Sequence, residues 1–237
     1  MSHRLSLLLI PLLLGTLIAC EDADLAPVLE EHTQEDSQED TKEDSQEDSA
    51  DPFECSDELP YATVVVSYEL GESAGYGAVE DTLGPPQPGA PTSGALEVLS
   101  LGIGGQITLG FGGRGFEDGP GVDLIVWENA FWIGGDPEKP FAELGEVSVS
   151  EDGETWTPFP CDPFAQDPLD SGCAGVQPRQ MFEICEAIPL QSDIVGGDAF
   201  DLADIGLESA RYVRIIDQAQ NGAAPSAGFD LDAVGAV

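Results

Sequence analysis

Residues 55–237 consist of short apolar segments separated by stretches rich in glycine and proline, and this spacing limits what the chain can fold into. Strand-like runs occur at 61–70, 105–111 and 210–217, where β-branched and aromatic residues are concentrated. Only 198–207 suggests a helical turn. Many short strands joined by such turns predict an all-β fold, and we expect a jelly-roll β-sandwich.

Three further segments sharpen this prediction. The sequence GEVSVSEDGETWTPF predicts a hairpin, because Val147 and Val149 alternate with polar residues before a tight turn at Asp152-Gly153. That turn requires a positive φ, and the chain then returns through Trp156. The continuous apolar run VDLIVWEN is typical of a central strand, and FDLDAVGAV is predicted to form the last strand.

The segment 20–54 has a different composition. From Thr33 onward it repeats a four-residue acidic unit (TQED, SQED, TKED, SQED), and residues 21–58 hold 17 acids against one base, Lys42. A segment with so little apolar surface and so much repulsion is expected to stay disordered and extended. We therefore predict an acidic linker that precedes the β domain at 55–237.

The N-terminal residues 1–19 predict an export signal. The apolar run from Leu7 to Ala19 is 13 residues long, whereas a helix that spans a membrane needs about 20. It ends in Leu17-Ile18-Ala19-Cys20, which resembles the lipobox of bacterial lipoproteins. The resemblance implies that 1–19 is removed, that Cys20 carries acyl chains such as palmitate, and that the protein is anchored in the outer membrane.

Cysteine usage agrees with an oxidising compartment. If Cys20 is lipidated, four cysteines remain, and an even number outside the cytoplasm predicts two disulfides. Four cysteines allow three pairings. Cys161 and Cys173 bracket the loop CDPFAQDPLDSGC, so we expect them to pair, which leaves Cys55 with Cys185.

Charge and histidine content exclude several functions. The net charge of −39 makes nucleic-acid binding untenable, because phosphate contacts need clustered lysine and arginine. Both histidines, His3 and His32, precede the predicted domain. This excludes a Ser-His-Asp triad, a Cys-His pair and most zinc sites in the domain, but it leaves carboxylate-only chemistry such as that of glycosidases.

The predicted loops are rich in carboxylates, and these could hold calcium. Calcium binds six to eight hard oxygens from carboxylates and backbone carbonyls on flexible loops. The alternative is that each aspartate caps a turn or faces water. The candidate ligands are Asp118, Asp123, Asp198, Asp201, Asp217, Asp230 and Asp232, with Glu128 and Asp204 beside them.

Two residues are candidates for contact with a ligand. Arg114 lies in the glycine-rich FGGRGFEDG, where a guanidinium could hold a ligand carboxylate or form a surface ion pair. In VWENAFW, Trp127, Phe131 and Trp132 could stack against a sugar or pack in the core. Trp132 has the most exposed setting of the three.

Several motifs also resemble known families. SVSEDGETWTPF, ARYVRIID and FDLDAV occur in the order found in discoidin-type (factor 5/8 C-domain-like) and galactose-binding-like jelly rolls. LSLGIGGQITLGF, DGPGVDLIVWENAFW, GGDAFDLADIGL and GFDLDAV are similar to a group of uncharacterised bacterial cell-surface proteins, secreted or lipid-anchored. The first resemblance implies a structural calcium between an early loop and a late strand, with Asp230 or Asp232 as a ligand.

Three functional hypotheses follow. The first is a lipid-anchored, non-catalytic protein whose calcium-stabilised sandwich binds a surface carbohydrate or protein partner. The second is a structural or assembly role in the cell envelope without a small-molecule ligand. The third is a carboxylate-dependent glycan hydrolase.

Overall fold

The computed structural model of the protein describes residues 60–87, 90–180, 191–219 and 222–237. The predicted signal peptide, Cys20 and the predicted linker lie outside the described residues. Among the described residues, no helix is both long enough and apolar enough to cross a membrane. Strands dominate and helices are few, which confirms the all-β prediction.

Two antiparallel sheets form most of the structure. The larger has five strands in the order β1-β3-β12-β8-β9: Val64–Glu69, Gln106–Gly110, Tyr212–Asp217, Gly145–Ser150 and Thr157–Pro158. The smaller has four strands in the order β10-β5-β13-β2: Asp198–Phe200, Leu124–Glu128, Asp230–Ala236 and Leu99–Ser100. Two short ribbons pair β4 with β11 and β6 with β7: Phe116–Glu117, Ser209–Ala210, Phe131–Trp132 and Pro140–Phe141.

The helical segments are single turns. One α-helix, α1, covers Ser192–Val195, and the described 3-10 helices are Val79–Thr82, Ile133–Gly135, Pro168–Asp170 and Leu202–Ile205. The predicted helical turn at 198–207 is therefore correct only in its second half, because 198–200 forms β10. β10 pairs with the buried strand β5, and this pairing determines its extended conformation.

The two sheets share one hydrophobic core, so they form a sandwich. The inward side chains of the larger sheet include Leu109 and Ile215, and those of the smaller include Val126 and Leu231. All four are at most 1% exposed. Ile107, Leu109 and Phe111 all lie in this core, as the alternation in 105–111 predicted. The apolar run of β5 is buried along its whole length, as expected of a central strand.

The predicted hairpin between β8 and β9 is also confirmed. Gly153 has a φ of +77°, as the turn requires. The Asp152 carboxylate accepts hydrogen bonds from the backbone N–H groups of Thr155 and Glu154, both at 2.7 Å. These bonds lower the pKa of Asp152 to about 2. The turn thus holds a permanent negative charge and returns the chain along the edge of the larger sheet.

The outer sides of the two sheets differ. On the smaller sheet, Trp127 packs outward against Tyr61 and against Val195 of α1, and all three are nearly inaccessible. Of the two roles that the sequence left open for Trp127, packing in the core is therefore the one observed. The larger sheet carries half-buried and exposed side chains on its outer side, so it presents the open face of the sandwich.

One predicted disulfide is present. Cys161 and Cys173 are bonded across a separation of 12 residues, with their Cα atoms 4.6 Å apart. The bond closes the irregular loop that contains the 3-10 turn at 168–170. Cys55 and Cys185 both lie outside the described residues, so their pairing stays a prediction.

Candidate functional site

The open face is built by the alternation of β12. Val213 and Ile215 point into the core and are inaccessible, so Tyr212 and Arg214 project from the opposite side and are half-buried. β12 lies at the centre of the larger sheet, between β3 and β8. Its outward side chains therefore occupy the middle of the open face.

The hairpin places an aromatic ring against this arginine. Trp156 precedes β9, and the guanidinium carbon of Arg214 lies 4.3 Å from the centre of its ring. This is a cation–π contact, which fixes the orientation of both groups. Among the described residues, Arg214 forms no ion pair, and its Nε is buried without a hydrogen-bond partner.

Two adjoining hollows run along the face. Their volumes are about 380 Å³ and about 370 Å³, and both are lined by Val66 and Tyr212. We call them together the sheet groove. The first hollow is lined by Val66, Ser67, Gln106, Thr108, Asp152, Gly153, Trp156, Tyr212 and Arg214. The second is lined by Val64, Val65, Val66, Gly110, Phe111, Gly112, Gly113, Arg114, Arg211 and Tyr212.

The charge of the sheet groove is opposite to that of the chain. Residues 55–237 hold five basic side chains, and three of them line the groove: Arg114, Arg211 and Arg214. The guanidinium of Arg211 donates a hydrogen bond of 3.0 Å to the carbonyl of Gly113, which orients it along the loop after β3. Asp152 is the one carboxylate among the described lining residues.

The two predicted ligand residues lie in different places. Arg114 lines the sheet groove, whereas Trp132 belongs to the β6–β7 ribbon and is half-buried. Trp132 is not among the described residues that line the groove. Sequence reasoning missed Trp156, Tyr212 and Arg214 as groove residues. The period-two alternation of ARYVRIID was the available signal, since it places Tyr212 and Arg214 on one face.

Three of the predicted calcium ligands meet at an exposed position. One carboxylate oxygen from each of Asp118, Asp123 and Asp201 lies within 4.8 Å of the others. Both oxygens of Asp123 already accept backbone N–H groups, from Gly119 at 2.7 Å and Leu202 at 2.8 Å. The arrangement therefore supports the turn before β5 and needs no ion to explain it.

A second acidic group is buried. Glu128, Glu143 and Asp230 offer oxygens within 4.8 Å of one another, and each is at most 8% exposed. We call them the buried acid cluster. Of the three, Asp230 was a predicted ligand and Glu128 an acidic neighbour, whereas Glu143 was missed. Glu143 lies in an irregular segment before β8, and nothing in its sequence pattern signals burial.

The surroundings of the buried acid cluster disfavour negative charge. Burial raises the pKa of Glu128 well above its usual range, and repulsion from Asp230 and Glu143 adds to this. Burial, with repulsion from Asp230 and Asp217, raises the pKa of Glu143 to about 7. Burial also raises the pKa of Asp230. The carboxylates are therefore costly to ionise without a counter-charge.

The other predicted ligands serve the backbone or a cation of the protein. Asp198 accepts hydrogen bonds from the N–H groups of residues 175, 176 and 177, and Asp217 accepts from those of residues 104, 219 and 229. Asp232 forms a buried ion pair with Arg179. The predicted calcium ligands thus do not form one site: Asp198 and Asp217 accept backbone hydrogen bonds, and Asp232 pairs with an arginine.

Comparison with known proteins assigns no family. No family model matches the chain, and no curated protein matches it. Among solved structures, the chain is similar to a glycoside hydrolase with a TM-score of 0.31 and 10% sequence identity. The match covers 74% of this chain and 31% of that chain, so the protein spans about a third of that glycoside hydrolase. The β-sandwich is confirmed by its sheets, while the resemblance to discoidin-type domains stays a prediction.

Proposed function

We propose that the protein is a lipid-anchored cell-surface protein that binds a carboxylate-bearing polysaccharide in the sheet groove, without catalysis. The observation that carries this proposal is the Trp156–Arg214 contact beside Tyr212 on an otherwise open sheet face. Aromatic rings pack against the C–H faces of sugars, and a guanidinium pairs with carboxylates through two parallel hydrogen bonds.

The shape of the groove supports a chain as the ligand. Two hollows that share Val66 and Tyr212 form a partly open depression along the sheet, whereas small-molecule sites bury most of their ligand. Three arginines along its length match a ligand with repeated carboxylates. In a chain of net charge −39, this concentration of cations makes the groove complementary to an acidic polymer.

The groove also supports a binding role over hydrolysis. Glycoside hydrolysis requires two carboxyl groups that flank the bond to be cleaved. The described lining residues contain one, Asp152, and hydrogen bonds hold it fully ionised. The buried acid cluster is not part of the described groove lining.

Replacing Trp156 by alanine is expected to weaken binding of polygalacturonate oligosaccharides about tenfold or more, which corresponds to ~1.4 kcal/mol. The variant removes the ring that orients Arg214 and the surface on which a sugar would stack. Titration calorimetry with the full chain measures the loss. Trp132→Ala is the matched control and should bind normally. If Trp132→Ala loses binding instead, the ligand lies at the β6–β7 ribbon.

The acidic character of the ligand can be tested separately. Arg214→Gln should reduce affinity for polygalacturonate more than for a neutral glucan, while Lys139→Gln should change neither. Lys139 pairs with Asp136 outside the groove, so its variant removes the same charge without touching the described lining. A protein that binds neither polymer would favour the structural or assembly role.

The anchor rests on the lipobox resemblance at Cys20 and has its own test. In cells labelled with radioactive palmitate, the wild-type chain should incorporate label and sediment with membranes. The Cys20→Ser variant should lose the label and appear in the soluble fraction. Label retained by Cys20→Ser would contradict lipidation at this residue.

A further inference from the structure

The buried acid cluster is assembled from both sheets. Glu128 ends β5 and Asp230 begins β13, so both belong to the smaller sheet. Glu143 lies two residues before β8 of the larger sheet. Asp217, which ends β12, is close enough to raise the pKa values of Glu143 and Asp230. The cluster therefore lies where strands of the two sheets meet at one end of the sandwich.

One oxygen of the cluster has no partner. Oε1 of Glu128 accepts the N–H of Asp230 at 3.3 Å, but Oε2 is buried without a hydrogen bond. The side chain is 1% exposed, so bulk water does not solvate this oxygen. A buried acceptor without a donor destabilises the fold, and more so when it is charged. Such an atom in a native fold points to a missing partner.

The neighbours do not supply that partner. Asp230 accepts hydrogen bonds from the side chains of Ser100 and Asn129, and Glu143 accepts one from the backbone N–H of Gly228. Asp217 uses both of its oxygens for backbone N–H groups. None of these groups reaches Oε2 of Glu128. No described basic side chain forms an ion pair with any of the three cluster carboxylates. Three buried carboxylates thus lie within 4.8 Å of one another with no cation of the protein among the described residues.

We infer that Glu128, Glu143 and Asp230 bind a calcium-type divalent cation that clamps the two sheets together at this end of the sandwich. The cation provides the partner that Glu128 Oε2 lacks and neutralises the mutual repulsion of the carboxylates. This site differs from the exposed group at Asp118, Asp123 and Asp201, where the oxygens of the buried member are already satisfied.

The donor set selects the class of cation. All of the ligands are carboxylate oxygens, which suit hard cations, whereas zinc and copper favour imidazole or thiolate. Three carboxylates offer up to six oxygens, which approaches the six to eight that calcium takes. Magnesium usually keeps several of its waters, and a site with side chains at most 8% exposed leaves little room for them.

Thermal unfolding of the full chain tests the inference. After removal of metal with chelator, 1 mM calcium should raise the melting temperature of the wild type by about 5 °C or more. Glu128→Gln should abolish this shift. Without calcium the same variant should melt at or above the wild-type temperature, because the amide removes one of three crowded acidic groups from a buried site that disfavours negative charge. These opposite effects separate a lost ligand from simple damage to the fold.

Asp118→Asn is the matched control, since it neutralises one carboxylate of the exposed group and should keep the full calcium shift. Terbium luminescence gives a second measurement. In the wild type, excitation of Trp127, next to Glu128 in the sequence, should sensitise the luminescence of bound terbium, and added calcium should displace the terbium and reduce the signal. In Glu128→Gln, calcium should produce no such decrease. The absence of a calcium shift in the wild type, or an equal shift in Glu128→Gln, would overturn the proposal and indicate that bound protons neutralise the cluster.

Discussion

Replacing Asp232 by asparagine is expected to destabilise the sandwich by about 3–5 kcal/mol, because it leaves a buried guanidinium without a counter-charge. Arg179 is 2% exposed and Asp232 is inaccessible. Arg179 also donates to the carbonyl of Gln87, and Asp232 accepts the N–H of Gln87 at 3.0 Å. The ion pair therefore holds two irregular segments against β13, and its loss should release both.

Urea unfolding at pH 7.5 measures this effect. Burial raises the pKa of Asp232 to about 6 against the opposing influence of Arg179, so the pair is ionised at that pH. Asp136→Asn is the matched control, since it breaks the exposed pair with Lys139 and should not change stability measurably. The double variant Arg179→Met/Asp232→Leu should recover most of the loss. The prediction would be wrong if Asp232→Asn lowered the free energy of unfolding no more than Asp136→Asn does.

At pH 4, replacing Asp198 by alanine should cost about 3 kcal/mol or more, because it leaves three backbone donors unpaired. The carboxylate accepts the N–H groups of Gly175 at 2.7 Å, Val176 at 3.2 Å and Gln177 at 3.2 Å. Two of these residues are buried, so water cannot replace the lost acceptor there. Asp201→Ala removes one such bond, to Ala203, and should cost only about 1 kcal/mol.

Asp198 should also make stability depend on pH. Burial raises its pKa from 3.8 to about 7, against the opposing effect of the three N–H groups. The folded state then keeps a proton that the unfolded state releases near pH 4, so the stabilisation is present below pH 4 and is lost as pH rises through 7. The difference in free energy of unfolding between wild type and Asp198→Ala, measured by urea unfolding, should therefore decrease between pH 4 and pH 7. A difference that widens would show that the N–H groups keep the carboxyl ionised.

Much of the fold could be predicted because the signals are local. Ile107 and Leu109 alternate with polar neighbours, and the turn at Asp152-Gly153 carries the residues that its backbone needs. The Cys161–Cys173 disulfide was predictable for the same reason, since both residues bracket one short loop.

The sites were harder to predict because they depend on contacts between distant segments. Trp156 and Arg214 are 58 positions apart in the numbering, and only the pairing of β12 with β8 brings them together. Glu143 has the sequence setting of an ordinary loop glutamate, and only the folded structure brings it beside Glu128 and Asp230. The aspartates were predicted as candidate calcium ligands, with turn capping as the alternative. Sequence does not distinguish a carboxylate that accepts backbone N–H groups, such as Asp198, from one that pairs with arginine, such as Asp232.

The position of β13 has a consequence for how the chain reaches its folded state. β13 is the last described strand, yet it lies between β5 and β2, and it contacts β2 across 130 positions. A ribosome that releases the chain from its N-terminal side delivers β2 and β5 before β13, the strand that joins them. β5 and β10 can pair earlier, but the smaller sheet cannot be completed before β13 is available, and such long-range pairing folds slowly. Among the described strands of the smaller sheet, β2 has no partner other than β13, so the edge of that sheet is completed last.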